Sequence, residues 1–143
     1  MNNAVQNLIL RALRIGAGES MRLDEIKKNR KVIFPGDEVW FPKDDWINDV
    51  VVSITADQTT VRIIAIIAKK PGNGSFSRLI DGIFDAHMTP VVIEAMGVMP
   101  AIMRRWGWNN IQVGSGWESE NQWRPSRKFR RSRFKAIFSE ATP

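Results

Sequence analysis

The chain has no cysteine, no tyrosine and a single histidine, His87. Without cysteine there are no disulfides, no thiolate-bound metals and no thiol nucleophile. One histidine and no carboxylates clustered at ligand spacing argue against a metal site. No serine has the histidine partner that a hydrolase triad needs. No apolar run approaches the ~20 residues that cross a bilayer. Met1-Asn2-Asn3 lacks the basic start of a signal peptide, and the apolar run Val5 to Leu13 is broken by Gln6, Asn7 and Arg11. The expectation is a cytoplasmic protein with neither a metal nor a membrane partner.

What is present fits one folded domain. The 143 residues are 43% apolar, enough for a real core. The net charge is +6, and seven of the 21 basic residues fall between Arg124 and Lys135 with no acid among them. Residues 126–143 read as a basic C-terminal helix or tail. It is either a solvated face or a patch for an acidic partner such as nucleic acid, and Phe129 and Phe134 could dock it on the body.

The hydrophobic period changes along the chain. Val5, Leu8, Ile9, Ala12 and Leu13 keep helical spacing and Gly16 and Gly18 end that helix. Ser20 is placed to cap a second short helix through Met21, Leu23 and Ile26. Lys27 to Lys31 reads as solvated. Val32-Ile33-Phe34 and Val39-Trp40-Phe41 read as extended pieces closed by Pro35 and Pro42, within an irregular, substrate-facing loop over 35–46. Strands follow at 50–56 and 60–68, joined tightly by Asp57-Gln58-Thr59. The second is nearly continuous in Ile and Val, the pattern of a central strand buried on both faces. A helix from Ser75 to about Ala86, a strand at 90–95 and a helix from Pro100 to Trp106 come next. Asn110 to Val113 and Trp117 to Trp123 read as further strands.

The strand 61–68 runs into Lys69-Lys70-Pro71-Gly72-Asn73-Gly74 and then into the helix with Phe76, Leu79, Ile80 and Ile83 on one face. A strand that ends in a glycine turn at a helix N-terminus leaves unpaired N–H groups pointing outward, where the helix dipole favours an anion. No Gly-Lys-Ser/Thr follows the turn, which argues against a P-loop. A Rossmann site lacks its third glycine here.

In this order of elements, and in the motif Lys69-Lys70-Pro71-Gly72-Asn73-Gly74, the chain resembles the GNAT superfamily of acyltransferases over roughly 47–125. Lys69 stands where that family usually has Gln or Arg, and Trp106-Gly107-Trp108 stands where its second helix closes on a Gly-Phe pair. The resemblance implies an α/β (α+β) fold with a mixed central sheet flanked by helices. It also implies acetyl-CoA or another acyl-CoA as cofactor, held by Ile67, Lys69, Lys70, Gly72, Asn73, Gly74, Ser75 and Phe76, with the acyl group passing to an amine. The chain is also similar to small GNAT-like proteins of tailed phages, which would make the host cytoplasm its location.

The family's tyrosine acid has no counterpart: the matching position is Met103, and the family's asparagine falls near Met96. The proton donor is then Ser115, a lysine or water. Glu94, at the end of a buried-looking strand, is the candidate base, because partial burial would raise its pKa. The same carboxylate could instead pair with Arg104 or Arg105. Glu38 is the second candidate base. Trp106 and Trp108 read as core. Trp117 and Trp123 line an acceptor groove, stack on a nucleobase or pack an edge strand. Two further classes stay open: an inactive GNAT-fold module contacting nucleic acid or protein through its basic end, and a small basic nucleic-acid binder of another fold.

Overall fold

A computed structural model describes residues 21–47 and 50–130. The fold is a mixed α+β domain built on one six-stranded sheet. The strands are β1 (Lys31–Ile33), β2 (Val51–Ile54), β3 (Thr60–Ala65), β4 (Thr89–Ile93), β5 (Asn109–Val113) and β6 (Glu120–Arg124). Helix α1 (Ser75–Asp85) joins β3 to β4, and α2 (Met99–Arg105) joins β4 to β5. The spatial order is β1-β2-β3-β4-β6-β5. Among the described residues only the β3–β4 pair is parallel, as a strand–helix–strand crossover requires, and every other neighbouring pair is antiparallel. Residues 21–27 are helical and precede β1. No helix among the described residues is long and apolar enough to cross a membrane.

Cross-strand partners share a face, so the register sorts the sheet into two chemistries. Ile33, Val52, Ile63, Val92 and Trp123 are aligned across one face. There they meet Leu79, Ile80 and Ile83 of α1, Met103 of α2, and Phe41, Trp46 and Trp108, forming the buried core. Each fully buried side chain of this size contributes roughly 1.5–3 kcal/mol. Phe129 is buried in the same core, edge-on to Trp108, so the core reaches into the basic C-terminal segment. Trp106 stacks on Phe76 at 5.4 Å, which joins α2 to the first turn of α1.

The opposite face is polar at its centre. Ser53, Arg62 and Val91 are aligned there. Arg62 is 4% exposed and its guanidinium is shared between Glu25, itself 3% exposed, and Glu120. Ser53 donates to Glu25 at 2.6 Å, Arg30 donates to Glu25 at 3.1 Å, and Gln122 donates to Glu120 at 2.8 Å. Every charge in the cluster is therefore paired and hydrogen-bonded, the condition under which charge tolerates burial. The strand that reads as nearly continuous in Ile and Val thus buries its one arginine by pairing it on both sides. Helix 21–27 buries Glu25 and leaves Met21, Leu23 and Ile26 exposed, so a carboxylate rather than its apolar residues docks it.

Other expectations need correction. Residues 39–41 form turns rather than a strand, because Pro42 and the hydrogen bond from Phe41 N–H to Glu38 O fold them back. Residues 116–118 form a short 3-10 turn, and β6 starts only at Glu120. β1 begins at Lys31, within the stretch expected to be solvated. The tight 57–59 connection is present, with Asp57 accepting from Thr55 and Thr59. Pro100 sits in the first turn of α2, and Gly107 follows its end at φ 75°. The helix expected over 5–13, Gly16, Gly18 and Ser20, together with 131–143, lie outside the described residues.

This packing carries two predictions. A β-carbon at Gly82 would lie 2.5 Å from Trp40 Cβ and 3.3 Å from its backbone Cα, so Gly82→Ala should cost about 1–3 kcal/mol in denaturant unfolding. The second concerns acid. Burial alone would raise the Glu120 carboxyl, but bonds from Arg62 and Gln122 and the charges of Arg62 and Lys28 bring it down from 4.5 to about 2. Burial likewise opposes, and Arg62, Ser53 and Arg30 outweigh it, in lowering Glu25. A depressed folded pKa gives stability that is present above the unfolded value and lost as pH falls through the folded one. Melting temperature should thus hold above about pH 5 and fall between pH 4.5 and 2. Glu120→Gln should be less stable at neutral pH and show a shallower fall.

Candidate functional site

The site begins with an irregularity in β3. Val52 is opposite Ile63 but Val51 is opposite Ala65, so Ile64 is an extra residue, a β-bulge. A bulge reverses which backbone groups face which neighbour. Beyond it, Ile67 O accepts from Ile47 N–H at 2.9 Å and Lys69 N–H donates to Asp45 O at 2.9 Å, around the bridge Trp46–Ala68. By alternation, the N–H and C=O of Ala68 turn away from that loop.

β4 is not paired with them. The parallel register ends at Ile63–Val92. Past that point β4 stays with β6, through the pair Ile93–Gln122 and the bond from Glu94 N–H to Asn121 O. The β3–β4 pairing thus ends before either neighbour does, with Ile64 to Ala68 running on toward the 45–47 loop and Ile93-Glu94 staying with β6. Exposed Ile67, Met96 and Val98 lie at this end of the sheet and make it apolar.

The same strand leads into the glycine turn. Gly72 and Gly74 have φ of 80° and 76°, and Gly74 is the N-cap of α1 with no side-chain cap. Nothing lies within 4 Å of a β-carbon built at Gly72, so the turn is open on that side. The first turn of α1 has no acidic residue. Arg78 folds back over it, donating to Asn73 O at 2.7 Å and Ser75 Oγ at 3.2 Å, and lies 3.5 Å from Asp45. Lys69 and Lys70 are exposed beside it. Cations at the positive end of a helix dipole are unfavourable unless an anion accompanies them. Asp45 is such an anion beside Arg78, and the turn stays open on the side of Gly72. Sequence reasoning missed Arg78, although a basic residue four positions after the capping glycine was a usable signal.

The other candidate residues divide. Glu94 lies at the end of β4, but it is exposed, not partly buried as expected. The chain turns at φ 48° there and swings the side chain out of the sheet, so its Oε1 accepts from Asn121 N–H at 2.8 Å rather than pairing with Arg104 or Arg105. Ser115 lies in the β5–β6 connection, before the 3-10 turn, at the same end of the sheet. Glu38 does not: it lines a groove of about 400 Å³ at the far end, with Trp40, Gln58 and Met88. His87 follows α1 at φ 63°, its N–H donating to Phe84 O, a helix-ending role. Trp123 is buried, whereas Trp117 is fully exposed. Met103 is fully buried in the core. Among the described residues no group of three His, Asp or Glu could hold a metal ion.

Comparison of the chain with protein-family models, curated proteins and solved structures returns no match.

The left-handed turn makes a direct prediction. Gly74→Ala and Gly72→Ala should each cost about 1 kcal/mol from backbone strain. The second loses this despite having no neighbour to clash with, and a neutral Gly72→Ala in thermal melting would refute the strain.

Proposed function

We propose that the chain binds an acyl-CoA where the β3–β4 pairing ends and transfers the acyl group to an amine, in the manner of a GNAT-type N-acyltransferase. One observation carries the reading: a bulged central strand parts from its parallel neighbour and delivers its end to an uncapped, cation-rimmed helix N-terminus. The N–H groups at Gly74, Ser75 and Phe76, with Lys69, Lys70 and Arg78, would hold the pyrophosphate. The backbone groups of Ala68 suit the amides of an extended arm, which would lie beside β3 as an added strand. Ile67, Met96 and Val98 suit its apolar portions.

The cofactor supplies a thioester carbonyl activated for attack by nitrogen. The chain's own part is alignment and proton movement. Glu94, at the end of β4, would be the group that takes the proton of the incoming amine. Its bond to Asn121 N–H fixes its direction. Ser115 or water remains to protonate the departing thiolate. The acceptor is an amine of a protein or a small molecule. Because acyl-CoA is intracellular, the reading implies a cytoplasmic protein, in the host if the chain is phage-encoded.

Met103 favours a second reading. It is sealed in the core where the family resemblance implies a tyrosine acid, so the fold could bind the cofactor without using it. Its exposed Arg124, Arg127, Lys128 and Arg130 would then serve an acidic partner such as nucleic acid.

Titration calorimetry with coenzyme A separates these. Binding should be seen and should vanish in Gly74→Glu, which places a carboxylate at the anion site. No heat at about 1 mM ligand overturns the cofactor assignment. Thiol release from acetyl-CoA in the presence of a primary amine should fall about 100-fold in Glu94→Gln. An unchanged rate removes Glu94 as the base, while binding without release supports the second reading.

A further inference from the structure

Three connections meet at the end of the sheet where the β3–β4 pairing stops: the glycine turn after β3, residues 94–98 after β4, and the β5–β6 turn. They differ in charge. From Leu79 to Trp123 the basic residues are Arg104 and Arg105 alone. Both lie in the last turn of α2, which runs back from the end of β4 to the start of β5 and so carries them to the opposite end. Glu94 and Glu118 are exposed at the end in question. Lys69, Lys70 and Arg78 stand on its β3 side. A chain of net charge +6 thus keeps the β4 and β6 side of this end acidic.

The β5–β6 turn is built to hold one shape. Gly114 and Gly116 take φ of 85° and 59°, and Glu118 N–H and Ser119 N–H donate to Ser115 O and Gly116 O, each at 3.2 Å. A β-carbon at Gly114 would lie 2.7 Å from Glu118 O, so the turn closes tightly on itself. This shape leaves Trp117 fully exposed. A rigidly presented aromatic ring is the usual form of a binding anchor, and tryptophan leads the residues that dominate interfaces. Met96 and Val98, 81% and 73% exposed, lie on the connection between this turn and the glycine turn. Glu94 is tied to the foot of the β5–β6 turn, since its N–H donates to Asn121 O and its Oε1 accepts from Asn121 N–H.

We infer that this surface docks a basic polypeptide with Trp117 as the anchor, and that the acceptor amine is a lysine of that partner. The lysine rests on the acyl-transfer reading; the docking does not. β3, β4 and β6 are successive strands, so the three connections span about 10 Å. That is the reach of about three residues of extended chain, wider than a small amine covers. A partner residue packed on Trp117 leaves a neighbouring lysine to lay its apolar stem along Met96 and Val98 and bring its ammonium to Glu94. Glu118, next to Trp117, suits further basic residues of the same segment.

Fluorescence anisotropy of a labelled dodecapeptide of lysine, leucine and glycine should show binding at about 100 µM. The same peptide with glutamate for lysine should not bind. Trp117→Ala should weaken binding about tenfold without moving the melting temperature, because the side chain is fully exposed. Glu118→Lys should weaken it at low salt, and Val39→Ala, exposed at the opposite end, should not. In acetyl transfer to the peptide, Trp117→Ala should raise KM about tenfold rather than lower kcat. No binding at about 1 mM, equal binding of the glutamate peptide, or unchanged affinity in Trp117→Ala overturns the inference. So does binding of single-stranded DNA, or a dimer in sedimentation, that Trp117→Ala abolishes, because a nucleobase or a second copy is then the occupant. If Trp117→Ala fails to fold, Glu118→Lys decides. Acetylation of n-butylamine as fast as the peptide lysine overturns the polypeptide acceptor. A chain that binds the peptide but not coenzyme A keeps the docking surface and loses the acyl-transfer reading.

Discussion

The parallel contact between β3 and β4 is short, four register pairs from Thr60–Thr89 to Ile63–Val92, and the rest of the structure is arranged around where it stops. The stop is built from both sides. On β3 the extra residue Ile64 reverses the backbone alternation and hands the strand to the loop at 45–47. On β4, continued pairing with β6 holds Ile93 and Glu94 in place. Neither strand frays; each leaves for a different neighbour. Past Ile63 the register between the two strands does not continue, although in the middle of a sheet backbone groups are normally saturated by both neighbours. The helix that begins beyond β3 adds a positive pole at this end.

Arg62 sits one residue before the last paired position and works across the sheet. Its partner Glu120 is on β6, with β4 between them in the sheet. The ion pair therefore ties β3 to β6 over the top of β4, just inside the point where the strands part. The same guanidinium fixes helix 21–27 through Glu25. A hydrophobic residue at 62 could fill the volume but could not make this three-way connection, which explains a charge in an otherwise apolar strand.

Much of this was legible beforehand, for physical reasons that can be named. The crossover shows in local signals alone: the apolar run before Lys69, the glycines at 72 and 74, and the helical spacing of Phe76, Leu79, Ile80 and Ile83 already specify strand, turn and helix. Local propensity does that work. The bulge at Ile64 was not legible, because Ile-Ile-Ala-Ile-Ile reads alike with or without an inserted residue. Register depends on the partner strand. Glu94 misled for a related reason. Its neighbours Val91, Val92 and Ile93 are buried, yet one left-handed residue takes the side chain out to solvent. Glu25 shows the reverse, a carboxylate amid Leu23 and Ile26 that turns inward because an arginine 37 positions away awaits it.

That spacing has a consequence for how the chain assembles. Arg62 lies 37 residues from Glu25 and 58 from Glu120. Contacts of that separation close large loops, whose entropic cost rises only slowly with length but must be met before the contact forms, which makes them late. During synthesis, Glu25 and Arg62 are both made before Glu120, which follows Arg62 by 58 residues. In the interval the guanidinium has one carboxylate where the finished fold supplies two. The β5–β6 hairpin is thus the latch of the domain: its arrival completes the charge balance of a strand laid down long before it.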